Sequence, residues 1–369
     1  MTHYSISHID DVLPHIEGRT DFVVAHKDGY SVIDYVFAGT DTFDHPARIE
    51  CRGLKFAPDG SILARPLHKF FNVGEKPETQ ATTIDFGQPH TIMDKLDGSM
   101  IHPAIVDGEV VFMTRMGRTD VARKAERHLT PAVREWVVAN PDLTAVFEWT
   151  APDNRIVVRY DDSRLTLLAI RENVDGGYAW PESLDAHAAE MGVDLVGTHP
   201  SRHANASDFL AYARAIQGAE GFVVRFDSGL WVKAKGEDYV LKHKAKDGIT
   251  QEKNILALVL SGGLDDVLPL LDEADATAAR EYAASVEAGI LRQASALDDL
   301  VGDGKFMAQK DFALRIVARQ QDAIRPLLFQ VRAGKPSAQA VRERIAANTN
   351  SQSQVDANRA LHGATWRIA

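Results

Sequence analysis

Residues 95–99 read Lys-Leu-Asp-Gly-Ser and follow the strand-like Thr91-Ile92-Met93. Taken alone, a strand followed by Asp-Gly is a turn signal. It also suits a lysine nucleophile, which must lose its proton although free lysine has a pKa of about 10.4. Nearby cations in a partly dry pocket favour the neutral amine. Residues 231–235, Trp-Val-Lys-Ala-Lys, supply such cations. Strand alternation puts Lys233 and Lys235 on one face. Two like charges on one face call for an anion between or above them, and a triphosphate is such an anion.

Two carboxylates complete the chemistry. Glu148 lies in Val-Phe-Glu-Trp, where its neighbours point to the opposite side. Glu220 stands ahead of Gly-Phe-Val-Val, where another strand starts. A carboxylate at a strand mouth beside phosphate-binding lysines can hold Mg²⁺ or ribose hydroxyls. Each glutamate taken singly reads as a surface residue.

The elements around these residues divide the chain. Up to about residue 247 the text is mostly β. Asp28-Gly29, Asp59-Gly60, Asp107-Gly108 and Asp175-Gly176 are hairpin signals. Residues 23–25, 31–37, 146–149, 156–160, 165–170, 222–226 and 230–234 are rich in β-branched and aromatic side chains, which predicts strands. Helices are predicted near 119–139, 182–191 and 207–217. After residue 250 the strand-like runs disappear, and 254–260, 274–301, 306–324 and 337–347 read as successive helices. The fold class expected is α+β, with residues 1–247 as one domain and a helical domain over 248–369.

Composition sets outer limits. The 369 residues suffice for two cores. No apolar run approaches the ~20 residues of a membrane helix, and the first residues show no secretory pattern. One cysteine, Cys51, excludes an internal disulfide and a Cys-based metal cluster. A reduced cytoplasm, no membrane partner and a monomer are expected. The net charge of −11 is unevenly spread: residues 304–369 hold 11 Lys+Arg against 4 Asp+Glu. That basic end can hold phosphates although the whole chain is acidic. Arg315 and Arg319, spaced i,i+4 on one predicted helix with Lys305 and Lys310 upstream, are candidate phosphate contacts.

In order along about 140 residues, the four strings K-x-D-G-S, F-E-W, E-G-F-V and V-K-A-K resemble the covalent nucleotidyltransferase superfamily of ligases and mRNA-capping enzymes. Longer stretches narrow this: Glu-Cys-Arg-Gly-Leu-Lys-Phe at 50–56, Ala-Arg-Pro-Leu-His-Lys-Phe-Phe-Asn at 64–72 and Phe-Glu-Trp-Thr-Ala-Pro-Asp-Asn-Arg-Ile-Val at 147–157. They resemble the bacteriophage T4 RNA ligase 1 family. The resemblance covers roughly residues 30–270.

The resemblance implies an adenylyltransferase domain with antiparallel sheets, an ATP-grasp-like ligase adenylation fold, followed by an all-α RNA-substrate domain. It implies an ATP-dependent RNA ligase that joins 5′-phosphate and 3′-hydroxyl ends, with tRNA among the possible substrates, using Mg²⁺ or Mn²⁺ in its place. Lys95 becomes the AMP acceptor, with Glu148, Glu220, Lys233 and Lys235 catalytic beside it. Tyr35, Arg52, Lys69, Phe71, Arg115, Glu148, Lys233, Lys235 and Tyr239 become ATP contacts, and Glu220 and Asp265 metal ligands. Arg115 departs from the pattern, standing where the family has lysine; its planar fork is a different phosphate ligand from a point charge. A DNA ligase, a GTP-using capping enzyme and a non-catalytic RNA-binding relative are the alternatives. The helical text after 250 speaks against the OB-fold of a DNA ligase, and the intact set of five catalytic residues against decay.

Overall fold

A computed structural model of the protein describes residues 4–368. It separates into two compact units, Met1–Val240 and Leu241–Ala369. The division falls inside the helix Glu237–Thr250, where the sequence places the junction at 247/248.

The strands of the first unit, in chain order, are β1 (Phe22–Lys27), β2 (Tyr30–Tyr35), β3 (Arg52–Phe56), β4 (Ile62–Ala64), β5 (Phe71–Asn72), β6 (His90–Lys95) and β7 (Ser99–Val106). They continue as β8 (Glu109–Met113), β9 (Leu143–Thr150), β10 (Arg164–Glu172), β11 (Asp194–Leu195), β12 (Thr198–His199), β13 (Gly221–Phe226) and β14 (Trp231–Lys235). Three sheets result, in the orders β1-β2-β3-β4, β11-β10-β9-β7-β8 and β12-β6-β13-β14-β5. Pairing is antiparallel except for two short parallel contacts, β10 with β11 and β14 with β5.

The hairpin signals at Asp28-Gly29, Asp59-Gly60 and Asp107-Gly108 turn β1 into β2, β3 into β4 and β7 into β8. Asp175-Gly176 closes only an isolated bridge between Arg171 and Tyr178. The strand expected over 156–160 is absent. Its Val157 and Val158 N–H groups donate instead to the Asp97 carboxylate, at 2.8 and 2.7 Å, so a side chain takes the place of a ladder. The helix expected over 119–139 is broken into Asp120–Ala125, a short 3₁₀ turn and Pro131–Ala139. Thr130 caps the last of these, and Pro131 sits where its missing N–H costs nothing.

Alternation fixes what each strand buries. On β9, Phe147 and Trp149 enter a core with Ile101, Phe112, Trp136 and Leu167, while Glu148 faces away. On β14, Val232 and Ala234 enter a core with Phe209, Phe222 and Val224, which leaves Lys233 and Lys235 on the other face.

The second unit is helical. Its longest helix, Glu273–Asp303, packs Ala279, Tyr282, Val286, Ile290 and Leu297 against Ile255, Leu256, Leu328, Val341 and Ile345. The single helix expected over 306–324 is not formed. Gln309–Arg315 ends, a 3₁₀ turn Val317–Arg319 follows, and a new helix begins at Arg325. Arg325 Nε donates to the Gln320 carbonyl at 2.8 Å and closes that break. Arg315 and Arg319 therefore do not lie on one helix. No helix among the described residues is long and apolar enough to cross a membrane.

Candidate active site

Lys95 is the last residue of β6 and Ser99 the first of β7, so Leu96-Asp97-Gly98 carries the chain from the third sheet to the second. Two close approaches fix this passage. A Cβ on Gly98 would lie 2.4 Å from the Trp149 carbonyl oxygen. Gly221, at φ 144°, faces Lys95 on one side and Lys235 on the other in the register of β13 with its neighbours. A Cβ there would meet the Ala234 carbonyl at 2.1 Å.

That register brings three of the expected residues together. Glu220, just ahead of Gly221 and buried, takes the Lys95 ammonium on Oε2 at 2.8 Å and the Lys235 ammonium on Oε1 at 2.9 Å. Lys233 shares the face of Lys235. Burial, with the charges of Lys69, Lys95, Lys235 and Arg52 around it, pushes its amine down to about 7. Glu148 closes the opposite wall, and the Gly98 N–H donates to its Oε1 at 3.0 Å. Burial pushes the Glu148 carboxyl up to about 7; Lys95 pulls it down and the charge of Glu220 adds to the rise. The cleft is lined by Arg52, Lys95, Leu96, Met100 and Glu148, with Trp231 and Phe70 among its apolar walls.

The aromatic side of the site comes from the first sheet and β5. The Lys69 ammonium lies 5.6, 5.4 and 5.1 Å from the ring centres of Tyr35, Phe43 and Phe71. Such placement suits a cation over π faces. Arg52 reaches the Leu67 carbonyl and the Met100 sulfur, at 3.3 and 3.2 Å. Arg115 gives its fork to the buried Asp34 carboxylate at 2.9 and 3.0 Å and lies 4.3 Å over the Tyr35 ring. Its guanidinium is thus held by a carboxylate and a ring. Tyr239 donates to Asp97 Oδ1 at 2.7 Å, and the Lys235 ammonium lies 5.0 Å from its ring centre.

Asp265 belongs to the second unit, where it stands in the short helix Leu264–Val267. Among the described residues no three His, Cys, Asp or Glu side chains gather as a metal cage there or elsewhere.

Several contributors escape a reading of the sequence. Asp97 is the clearest: it sits in the K-x-D-G string yet is 1% exposed, holding Val157, Val158 and Tyr239 by hydrogen bonds. Asn154 donates to Ser99 Oγ and to the Trp149 carbonyl, both at 3.1 Å. Lys55, fully buried, donates to the Gly53 and Arg115 carbonyls, and burial pushes its amine down to about 7. Glu50, although buried, has its carboxyl drawn down to about 2 by Arg171 and Arg65, at 2.8 and 3.0 Å. Local sequence gives no sign of the long-range pairings among these, such as Asp97 with Tyr239, Lys55 with Arg115 and Glu50 with Arg171.

Residues 50–249, which contain all of this site except Asp34, Tyr35 and Phe43, match the family described as RNA ligase. A Thermovibrio ammonificans protein named as an RNA ligase is 31% identical over 284 residues, 70% of this chain and 70% of that one. This chain belongs to the RNA ligase family. RNA ligase 1 of Bacteriophage TS2126 is 28% identical over 221 residues, which are 56% of this chain and 55% of the phage enzyme. The ligase also has a looser likeness to an archaeal ATP-dependent RNA ligase, with TM-score 0.48, 18% identity and 64% of each chain covered. Its mixed α and β architecture, sheets first and helices after, is the fold class expected, and its substrates are RNA ends to be joined.

Proposed function

We propose that the protein seals RNA 5′-phosphate to 3′-hydroxyl ends with ATP, through AMP carried on Lys95. The observation that carries this reading is Glu220 gripping Lys95 and Lys235 together beside Lys233. Three amines converge at one strand end, as a triphosphate and an attacking amine require.

In the first step the free Lys95 amine attacks the α-phosphorus of ATP. A P–N bond forms, the α–β P–O bond breaks and pyrophosphate leaves. Lys233 and Lys235 stabilise the charge that builds on the phosphates. Tyr35, Phe71 and Tyr239 supply rings beside the adenylate, with Arg52 and Lys69 as further cations. Arg115 positions Tyr35 from the Asp34 carboxylate. In the second step the RNA 5′-phosphate attacks the lysyl phosphoramidate, giving an A(5′)pp(5′)RNA end and free Lys95. In the third a 3′-hydroxyl attacks that end, the phosphodiester forms and AMP leaves. Each is a displacement at phosphorus, so one pocket serves all three.

Glu148 and Glu220 fit a divalent cation: the charge of Glu220 adds to the rise of the buried Glu148 carboxyl, and a Mg²⁺ or Mn²⁺ ion held by the two would relieve that repulsion. Bound there, the metal would supply charge neutralisation at the phosphates. Residues 1–247 act in this reading as the adenylyltransferase domain and 248–369 as the RNA-substrate domain, with tRNA one candidate substrate.

The test is incubation with α-labelled ATP and Mg²⁺. Wild type should retain label and Lys95→Ala should not; excess GTP should fail to compete. An unlabelled wild type across pH values rejects the reading. Labelled protein then meets 5′-phosphorylated single-stranded RNA, single-stranded DNA and nicked duplex, and RNA joining is expected.

A further inference from the structure

We propose that Phe306, in the second unit, is a stacking platform for an unpaired RNA base, with Lys305, Lys310 and Arg319 meeting the neighbouring phosphates. The proposal rests on the RNA ligase reading and adds a place where the RNA is held outside the adenylation pocket.

Phe306 is 94% exposed, more than any other large apolar side chain described. A lone exposed apolar residue is ordinary. Its mounting is not. Gly304 is packed so tightly that a Cβ there would lie 2.4 Å from the Phe312 ring. Met307 packs on the helical core, and its carbonyl accepts a hydrogen bond from Arg332. The Arg332 guanidinium in turn lies 4.2 Å over the Phe312 ring, which meets Phe329 at 6.1 Å. The chain is thus anchored on both sides of Phe306, and the ring is displayed by a fixed turn.

The charge around this turn points to the occupant. Residues 304–335 hold seven Lys+Arg and two Asp+Glu. Both carboxylates of this stretch are paired, Asp311 with Arg315 and Asp322 with Arg325, and the exposed Asp303 precedes the turn. Among the described residues Lys305, Lys310, Arg319 and Arg332 have no carboxylate partner. The Lys305 ammonium lies 5.7 Å from the Phe306 ring centre. Arg332 Nη1 is buried without a hydrogen-bond partner. In a chain of net charge −11, a displayed ring with Lys305 beside it, and with Lys310 and Arg319 unpaired on the same stretch of chain, forms a local anion-seeking surface. Single-stranded nucleic acid fits it: bases offer a π face and phosphates meet the cations. Exposed Leu314 and Phe329 nearby would also suit a protein partner, but such a partner would have to bring its own carboxylates to these cations.

The experiment uses the full chain, without ATP or metal, and a fluorescein-labelled single-stranded oligoadenylate followed by anisotropy. Phe306→Ala and Phe306→Leu should weaken binding roughly 5- to 150-fold, the cost of one lost base stack, and Phe306→Trp should restore it. Lys305→Ala and Lys310→Ala should each reduce the salt slope by about one, while the Phe306 variants leave it unchanged. ATP labelling of Lys95 should persist in every variant. Wild-type affinity in Phe306→Leu would mean a merely apolar contact and would overturn the proposal. So would unchanged RNA binding in Phe306→Ala, or a change in self-association alone by sedimentation. If labelling is absent from wild type, the ligase reading fails; if labelling is intact and Phe306→Ala binds normally, only the stacking platform fails.

Discussion

The Lys95 ammonium donates to Glu220 Oε2 at 2.8 Å. An ammonium so engaged has no lone pair to offer a phosphorus atom, so this pair must part before adenylation. The same carboxylate holds Lys235, which makes Glu220 the stand-in for the anion that the two lysines await. Glu220→Gln should leave two half-buried ammonium groups facing each other and cost about 1–3 kcal/mol of stability. Pyrophosphate should restore thermal stability more in this variant than in wild type, since it replaces the missing anion. Equal shifts by differential scanning fluorimetry would show that the lysines need no anion between them.

Glu148 gives a signed pH dependence. Its carboxyl stands at about 7 in the folded chain, raised chiefly by burial, against 4.5 as its ordinary value. The folded state therefore binds the extra proton between these two values, and stability falls as pH rises from about 4.5 through about 7. Glu148→Gln removes that loss. The variant should match wild type near pH 4.5 and exceed it above pH 7, by up to about 3 kcal/mol. Melting temperatures of both proteins without metal, from pH 5 to 8, measure this. Added Mg²⁺ should narrow the gap, because it favours the ionised wild-type carboxylate.

Lys233 titrates in the opposite sense. Its amine stands at about 7, below the ordinary 10.5, with burial as the main cause and four neighbouring cations behind it. Between these values the unfolded chain binds more protons, so this residue makes stability rise with pH across that window. A bound polyphosphate reverses the local field and returns the proton. Binding of a non-reactive ATP analogue at pH 8 without metal should take up a proton, approaching one per site. Calorimetry in buffers of different ionisation enthalpy reads this directly, and Lys233→Met should abolish the uptake.

The chemistry was more legible than its supports. Alternation in Trp-Val-Lys-Ala-Lys is a local property, and β14 places Lys233 and Lys235 together for that reason. Glu148 between Phe147 and Trp149 is legible in the same way, because burying the two rings turns the carboxylate outward. The hairpins at Asp28-Gly29 and Asp107-Gly108 likewise need only neighbouring residues. The region 156–160 misleads because Val157 and Val158 have the composition of a strand while their N–H groups serve a carboxylate 60 residues earlier. Residues 306–324 mislead because Phe312, Ile316 and Val317 are spaced for a helix. Two side chains beyond the run hold it in its broken form: Arg325 on the Gln320 carbonyl five residues earlier, and Arg332 on the Met307 carbonyl. The grip of Arg115 on Asp34 joins positions 81 residues apart, which no local pattern shows.

Asp97 offers the sharpest test of a supporting residue. Its Oδ2 accepts the Val157 and Val158 N–H groups and its Oδ1 accepts the Tyr239 hydroxyl, all in a buried setting. Asp97→Asn keeps the shape: with its oxygen on the Val157 and Val158 N–H groups its amide N–H₂ faces the Tyr239 hydroxyl, which must turn to accept. The loss should be about 1–2 kcal/mol, the cost of exchanging hydrogen bonds to a carboxylate for neutral ones. Tyr239→Phe removes one donor from a carboxylate that keeps two others, and should cost about 1 kcal/mol. Since the two share one bond, the double variant should fall short of the sum. Denaturant unfolding of the four proteins gives this coupling. Labelling by ATP adds a second readout: if Asp97 fixes the turn after Lys95, Asp97→Asn should lose label at temperatures where the fold persists. Full additivity of the two substitutions would mean that Tyr239 is held by something other than Asp97.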